Sequence, residues 1–543
     1  MWMTRARAAA LLGAAAALLV VSQADAKPQK KAPRPKKVLV LTPPKPSVRQ
    51  PKRLPAPARE ARETDDETTP TSPPNPTRTV TEAADSNEPK TEPKEETPVN
   101  ATPEPTPSPA SPPPAGAPEG TEEPSEKKLE LGGRIFTHFR SSFDFDEPLQ
   151  QVSTSVWLDM HARMTKGTFA AASVAGDLLT PNIDGKVEGR ARLREGYAGA
   201  HGAGFEVRIG QQILSWGNAD VVHAVDFLTA QDYTFFSANA DAKQIGAPSV
   251  VLSYSPNDGT SPFKMTAVWQ PAFPATKVLI PKGKVPVGVT ILDEERPKLS
   301  MLNSEAAVKI GWAPGGWDIA VIGFHGWNHI AEPYVVEAKQ TPEGPSATIG
   351  RRFNQINAVG LQASVALDSW VLRFEGAYVA TQNMDGRNRL IQPSHIDAIA
   401  GIERPFGERV RASLQGIVRV HPYWMSLDAP YVTRAKTPEQ FVEAGAQEGA
   451  ARLNAQVQNY THQIRPGASL ALNYASEDEA LEIGVAGIAY FVGFDWAVQP
   501  SIGYRFFDAL KIEVGAQIFG GKQNSLGFLN KQSGFFAQAT YAF

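Results

Sequence analysis

Cysteine is absent from the 543 residues. That absence excludes disulfides, a cysteine-linked lipid anchor and any thiolate metal site. Histidine is sparse, with 9 scattered copies and no ligand spacing such as HExxH. No GxSxG elbow or glycine-rich phosphate loop occurs. His223 with Asp226, and His325 with His329, come nearest to a catalytic pairing, and chance proximity explains them better. The expectation is a non-enzyme with no cofactor and no metal. An excess of one charge is also missing: 54 Lys+Arg stand against 57 Asp+Glu. This balance gives no footprint for a nucleic-acid partner. Beyond the first 26 residues, no apolar run reaches the ~20 residues a membrane helix needs, so a helical membrane protein is excluded.

The chain does carry an export signal. Arg5 and Arg7 precede an apolar run from Ala8 to Val21, and Ala24-Asp25-Ala26 reads as a cleavage site. Residues 1–26 are expected to be a signal peptide. Residues 27–128 are proline-rich and nearly free of aromatics, basic up to Arg62 and acidic from Glu63. Such a stretch buries too little apolar surface to offset its chain entropy, so a disordered linker is expected. It reads as a spacer, or as a tether to the cell wall or a periplasmic protein. Val38–Leu41 is its one apolar island.

Residues 129–543 change texture to short alternating segments. About eighteen are legible (sixteen to eighteen allowing for boundary error), from Leu129–Arg140 to Phe535–Phe543. Connections from even to odd segments are short and carry turn residues, such as Lys166-Gly167, Pro314-Gly-Gly316 and Pro405-Phe-Gly407. Connections from odd to even segments include long ones: Leu214–Gly246, Ala272–Asn303, Asn328–Arg352 and His421–His462. This parity predicts an all-β, antiparallel transmembrane β-barrel with both ends of its chain in the periplasm and long loops outside the cell. The final strand closes on Tyr541 and Phe543, and an aromatic terminus of this kind resembles the C-terminal signal of bacterial outer-membrane barrels.

Segments thirteen and seventeen each have one face free of charge. In the thirteenth, Val410, Ala412, Leu414, Gly416, Val418 and Val420 oppose Arg409, Arg411, Ser413, Gln415 and Arg419. A charge on the lipid face costs a few kcal/mol at mid-bilayer, so the charged face must line the lumen. The expected pore-lining residues are therefore Glu188, Arg190, Arg192, Arg194, Glu206, Arg208, Arg373, Glu375, Arg409, Arg411, Arg419 and Glu513. An arginine ladder can guide carboxylates or phosphates. It can equally form cross-strand ion pairs that hold the wall. Trp317, Trp327, Trp370, Tyr378, Phe491, Trp496, Tyr504, Phe506 and Tyr541 fall near segment ends, where interfacial girdles belong.

Leu193-Arg-Glu-Gly-Tyr197, then Gly210-Gln211-Gln212-Ile213-Leu214-Ser215-Trp216-Gly217, then Val225-Asp226-Phe227 resembles a poorly characterised family of outer-membrane porin-like proteins. In that family a strand ends in G-[RQ]-Q-x-x-x-W-G; alginate-export-type barrels belong to the wider group. The resemblance spans about sixty residues and implies a porin-like barrel with a loop after this strand. From the residues, Ala219–Phe236 is expected either to form a helix folded into the pore or to bury as an apolar loop within the lumen, with Trp216, Gly217, Asp226 and Phe227 at a constriction or plug. Thr437 and Gln440, with Pro438 between them, read as a capping box opening an amphipathic helix in a later loop. Asp293, Glu294 and Glu295 read first as solvated charge and second as a divalent-cation or lipopolysaccharide contact.

The expected function is an outer-membrane channel passing small polar or anionic solutes in a Gram-negative envelope. Its partners would be membrane lipids, lipopolysaccharide and the barrel-assembly machinery. The alternative is a β-barrel component of an envelope-spanning glycan-export or motility complex, whose arm binds periplasmic partners.

Overall fold

The computed structural model describes residues 128–543, apart from 144–149, 181–186, 235–239, 258–259, 279–284, 429–434 and 523. The expected signal peptide, the proline-rich arm and the Val38–Leu41 island lie outside the described residues.

Eighteen strands form one sheet. In chain order they are β1 Lys128–Ser142, β2 Gln150–Thr165, β3 Thr168–Thr180, β4 Glu188–Gly202, β5 Phe205–Gln212, β6 Ala247–Tyr254, β7 Phe263–Gln270, β8 Glu305–Trp312 and β9 Trp317–Trp327, then β10 Gln355–Leu367, β11 Trp370–Ala380, β12 His395–Phe406, β13 Val410–Val420, β14 Ile464–Ala475, β15 Leu481–Tyr490, β16 Asp495–Phe506, β17 Leu510–Gly521 and β18 Gly534–Ala542. Each pairs antiparallel with its neighbours in the sequence of strands, and β18 pairs back onto β1 with His138 opposite Gln538. The sheet is therefore a closed barrel with no free edge. Two backbone hydrogen bonds between Phe543 and Gly133, at 2.9 and 3.0 Å, finish the seam.

The alternation predicted from sequence sets the two faces. Leu158 in β2, Val359 in β10 and Leu414 in β13 point outward and are more than half exposed. Their flanking neighbours Trp157, Ala358, Ser413 and Gln415 point inward and are buried. Trp317, Trp370, Tyr378, Phe491, Tyr504, Phe506 and Tyr541 are all exposed. An apolar outer belt with aromatic rims, and an inward face that carries nearly all the charged residues of the strands, suits a barrel in lipid. No helix among the described residues is long and apolar enough to cross a membrane.

The long connections are more structured than the sequence suggested. Val289–Glu295 lies parallel to Gly344–Arg352, which pairs antiparallel with Glu332–Thr341, making a three-stranded sheet from two different loops. Glu294 meets Arg351 at 3.2 Å, and Glu295 accepts a hydrogen bond from the Tyr334 hydroxyl. Glu294 is thus paired within this sheet, while Asp293 and Glu295 stay exposed to solvent. The helix α1, Pro438–Val457, packs on the same sheet. It begins with the expected capping box: Thr437 Oγ1 accepts from the Gln440 N–H at 3.3 Å, and Gln440 Oε1 accepts from the Thr437 N–H.

Candidate functional site: a loop clamped inside the barrel

The chain leaves β5 at Gln212 and turns into the lumen. Four features of the preceding sequence aim it there. A bulge in β4, where the register with β3 shifts at Ser173/Val174, turns both Arg194 and Glu195 inward. Glu195 then accepts from the Ile213 N–H at 3.0 Å, catching the first residue of the loop. Gly210 has φ +141°, and a Cβ there would lie 2.2 Å from the Gly196 carbonyl oxygen, so only glycine fits. Gln212 is buried and donates to the Ser249 carbonyl at 3.2 Å. Gly210 therefore has a steric reason for its place and Gln212 a hydrogen-bonding one.

Residues 213–234 cross the lumen without a helix. The expectation of a helix over Ala219–Phe236 fails in this described part, and the reason is non-local. Glu375, on the inner face of β11 and fully buried, accepts from the backbone N–H groups of Asn218, Ala219 and Ala224, the last two at 2.7 Å. One carboxylate thus gathers the N–H groups of Asn218 and Ala224, which a helix would hold apart, and β-branched Val221, Val222 and Val225 favour extended backbone. Gln362 donates to Asn218 Oδ1 at 3.1 Å, Ser413 donates to Asp220, and Arg373 reaches Asp220 at 3.4 Å. The loop's apolar side completes a core inside the barrel. Leu214, Trp216, Val225 and Leu228 pack with Val251, Ile322, Phe324, Ile356, Val379 and Ile417 of the wall. Phe227 stacks on Phe324 with ring centroids 5.5 Å apart.

Three of the expected constriction residues act inside this loop. Trp216 is buried, with the Lys309 ammonium 6.0 Å from its ring. Gly217 has φ +129°, and a Cβ would lie 2.6 Å from His223 Nδ1 and 2.8 Å from Glu375 Oε1. Asp226 accepts from Ser215 Oγ, the Trp216 N–H and Thr229 Oγ1, closing the loop on itself. Burial pushes its carboxyl above the ordinary value, against the pull of those donors and of His223. His223 is a third exposed and sits 3.5 Å from Glu375. Burial lowers its basicity, but the Glu375 carboxylate outweighs that and raises its pKa. Ser215, Asp220, Val221 and His223 are the exposed side of the loop.

The arginines of β4 face the lumen and hold the far end of the same connection. Arg190 spans Asp177 at 3.3 Å and Asp232 at 3.1 Å. Arg192 meets Asp177 at 2.9 Å and donates to the Ala242 carbonyl at 3.0 Å. Arg194 lies 3.6 Å over the Trp157 ring and donates to Ser173 Oγ and the Asp241 carbonyl. Lys277 joins Asp232 at 3.0 Å. Elsewhere the expected pore-lining residues form ion pairs. Arg208 meets Glu206 at 3.2 Å, and Arg373 and Arg411 share Glu403 at 2.6 and 3.4 Å. Arg419 grips Asp397 at 2.6 Å, and Glu513 lies 3.9 Å from Lys511. Two fall outside the bore proper. Arg409 pairs with Glu477 in the turn region at the short-turn end, both well exposed, and Glu188 is exposed at the first residue of β4. Asp177, Asp220, Asp232 and Gln362 were not singled out from sequence, whereas Ser413 was placed on the lumen face of its strand. Asp177 carried a usable signal, being the one acid on the inward parity of β3.

No protein-family model matches the chain, and no curated protein matches it. Solved structures similar to it include proteins of Pseudomonas aeruginosa, among them the outer membrane protein OpdK. OccK5 is 10% identical, covering 77% of this chain and 97% of its own, with a TM-score of 0.43. OccK2, solved with glucuronate, is 10% identical over the same shares, with a TM-score of 0.44. OpdK, solved with vanillate, is 10% identical, covering 76% of this chain and 98% of its own, with a TM-score of 0.46.

Proposed function

We propose that the chain is an outer-membrane channel that passes small polar or anionic solutes past the loop 213–234. The apolar outer belt supports placement in a lipid bilayer. The short turns would face the periplasm and the long loops the outside. The observation that carries a transport reading is the way the loop is held. Glu375, Gln362, Arg373 and Ser413 clamp it to one side of the bore. The sector lined by β14–β18 remains polar, with Asn473, Glu482, Gln499, Ser501, Arg505, Lys511 and Glu513 along it. A clamped loop narrows a bore in a defined place, which a purely structural barrel has no need to do.

The bias toward anions rests on local charge. Arg190, Arg192 and Lys277 face two carboxylates, Asp177 and Asp232. Arg194 adds a further cation that bonds to Ser173 Oγ and the Asp241 carbonyl, with the carboxylates of Glu195, Asp159 and Asp241 acting on it through space. Low-dielectric walls extend such an excess into the water of the bore.

Reconstitution in planar bilayers tests the proposal. A potassium chloride gradient should give a reversal potential of anion-selective sign, shifting toward zero in the R192Q/R194Q double variant. Glucuronate and vanillate are the first organic anions to try. A closed barrel, or one that prefers potassium, would refute the reading.

A further inference from the structure

Among the described residues, the outward faces of the eighteen strands carry one lysine, arginine, aspartate or glutamate, Arg404, and one exposed histidine, His325. In β12 the residues His395, Asp397, Ile399 and Glu403 turn to the lumen, where Asp397 and Glu403 meet Arg419 and Arg373. The alternate set, Ile396, Ala398, Ala400, Ile402 and Arg404, therefore turns outward. Register agrees, since Arg404 lies opposite Ala412, on the same face of β13 as exposed Leu414. Among the described residues of the strands, no other lysine, arginine, aspartate or glutamate lies on that outward parity.

Arg404 is also built into a setting. It lies two residues before the short-turn end of β12, level with Trp370, the first residue of β11, and Phe406, the last of β12. Its guanidinium carbon is 4.6 Å from the Trp370 ring and 5.2 Å from the Phe406 ring. Its Nε is buried and has no hydrogen-bond partner. No carboxylate or carbonyl among the described residues accepts from the other two nitrogens. Two aromatic faces thus hold a planar cation at the rim of the apolar belt, with fork-shaped donors and no protein anion to take them. An unpaired charge at this depth is tolerated only if something in the surrounding medium supplies an acceptor.

We infer that Arg404, with Trp370 and Phe406, is a binding site for the phosphodiester of a phospholipid in the leaflet at the short-turn end of the barrel. The planar fork of arginine suits two phosphate oxygens, while the two rings pack against the glycerol and upper acyl region. Lysine would keep the charge and lose both the fork and the stacking.

This rests on the barrel spanning a bilayer, and the experiment separates the two. The full chain in detergent is titrated with phosphatidylglycerol and followed by native mass spectrometry. Wild type is expected to hold one more lipid than R404Q at limiting concentration, with R404K between them. Channel conductance in bilayers monitors whether each variant is folded, because Arg404 does not face the bore. Equal lipid occupancy in wild type, R404K and R404Q overturns the site and leaves the membrane reading intact. Failure of wild type to enter detergent micelles or bilayers overturns both.

Discussion

Glu375 is the residue on which the constriction depends most. A carboxylate accepting several backbone N–H groups in a buried place makes strong, charge-assisted bonds. Removing it strands those donors, at a cost of about 1–3 kcal/mol for each buried group left unpaired. The loop is expected to leave the wall in E375A, giving an open-channel current with frequent brief closures. G217A should do the same from the other side, because its Cβ would collide with His223 and Glu375 and because φ +129° disfavours alanine. Single-channel recordings decide this, and steady currents of wild-type size in both variants would show that the loop is held by its apolar core alone. Neither anchor could be paired from sequence. Glu375 was legible as an inward residue of β11, but its partners lie about 150 positions earlier in the chain. A pattern of local periodicity contains nothing about that meeting, which is why the loop read as a helix.

Among the elements, the strands and the capped helix α1 were legible, and the outer sheet and the lumen loop were not. Every barrel strand but β12, with its outward Arg404, has uncharged residues on one parity, because lipid penalises the alternative, so periodicity recovers the strands. The outer three-stranded sheet has no such constraint. Val289–Glu295 ends in an acidic run, its parallel partner begins at Gly344, and a register shift at Val335/Glu337 breaks the alternation of the third strand. These outer elements are bound by a buried carboxylate with its own consequence. Glu332 accepts from the Gln392 N–H at 2.7 Å, from Asn354, and from Gln458 Nε2 at 3.2 Å, so it joins three long loops at the end of α1. Burial pushes its pKa up to about 7, against those donors and Arg352. An opened loop would return the group to its ordinary 4.5, so the closed form binds the extra proton. Closure is therefore weakest above pH 7 and strengthens as pH falls toward 4.5, by roughly 3 kcal/mol at most. His421 pulls the other way below about pH 6.5, since burial holds it down to about 3 and opening would let it charge. Hydrogen exchange over residues 332–352 and 438–458, corrected for the intrinsic effect of pH, should show protection rising from pH 8 to 6.5. The rise should vanish in E332Q; its survival there would remove Glu332 as the cause.

For the whole molecule the decisive property is which side of the wall is wet. The alternation assigns it consistently around all eighteen strands, and the seam between β1 and β18 leaves no edge to contradict it. The assignment has an energetic signature that no soluble barrel would share. Leu414 sits near the middle of β13 on the outer face, half exposed, while Ser501 of β16 faces the bore. An arginine at the first position has to be buried in hydrocarbon, at about 2–4 kcal/mol near the midplane. The same arginine at the second position meets water and the carboxylates Glu482 and Glu513, and should cost little. Reversible urea unfolding of L414R and S501R in lipid vesicles measures both. The expected outcome is a loss confined to L414R. If S501R were the more damaging change, the bore would be the packed side, and the channel reading would fall together with the assignment of faces.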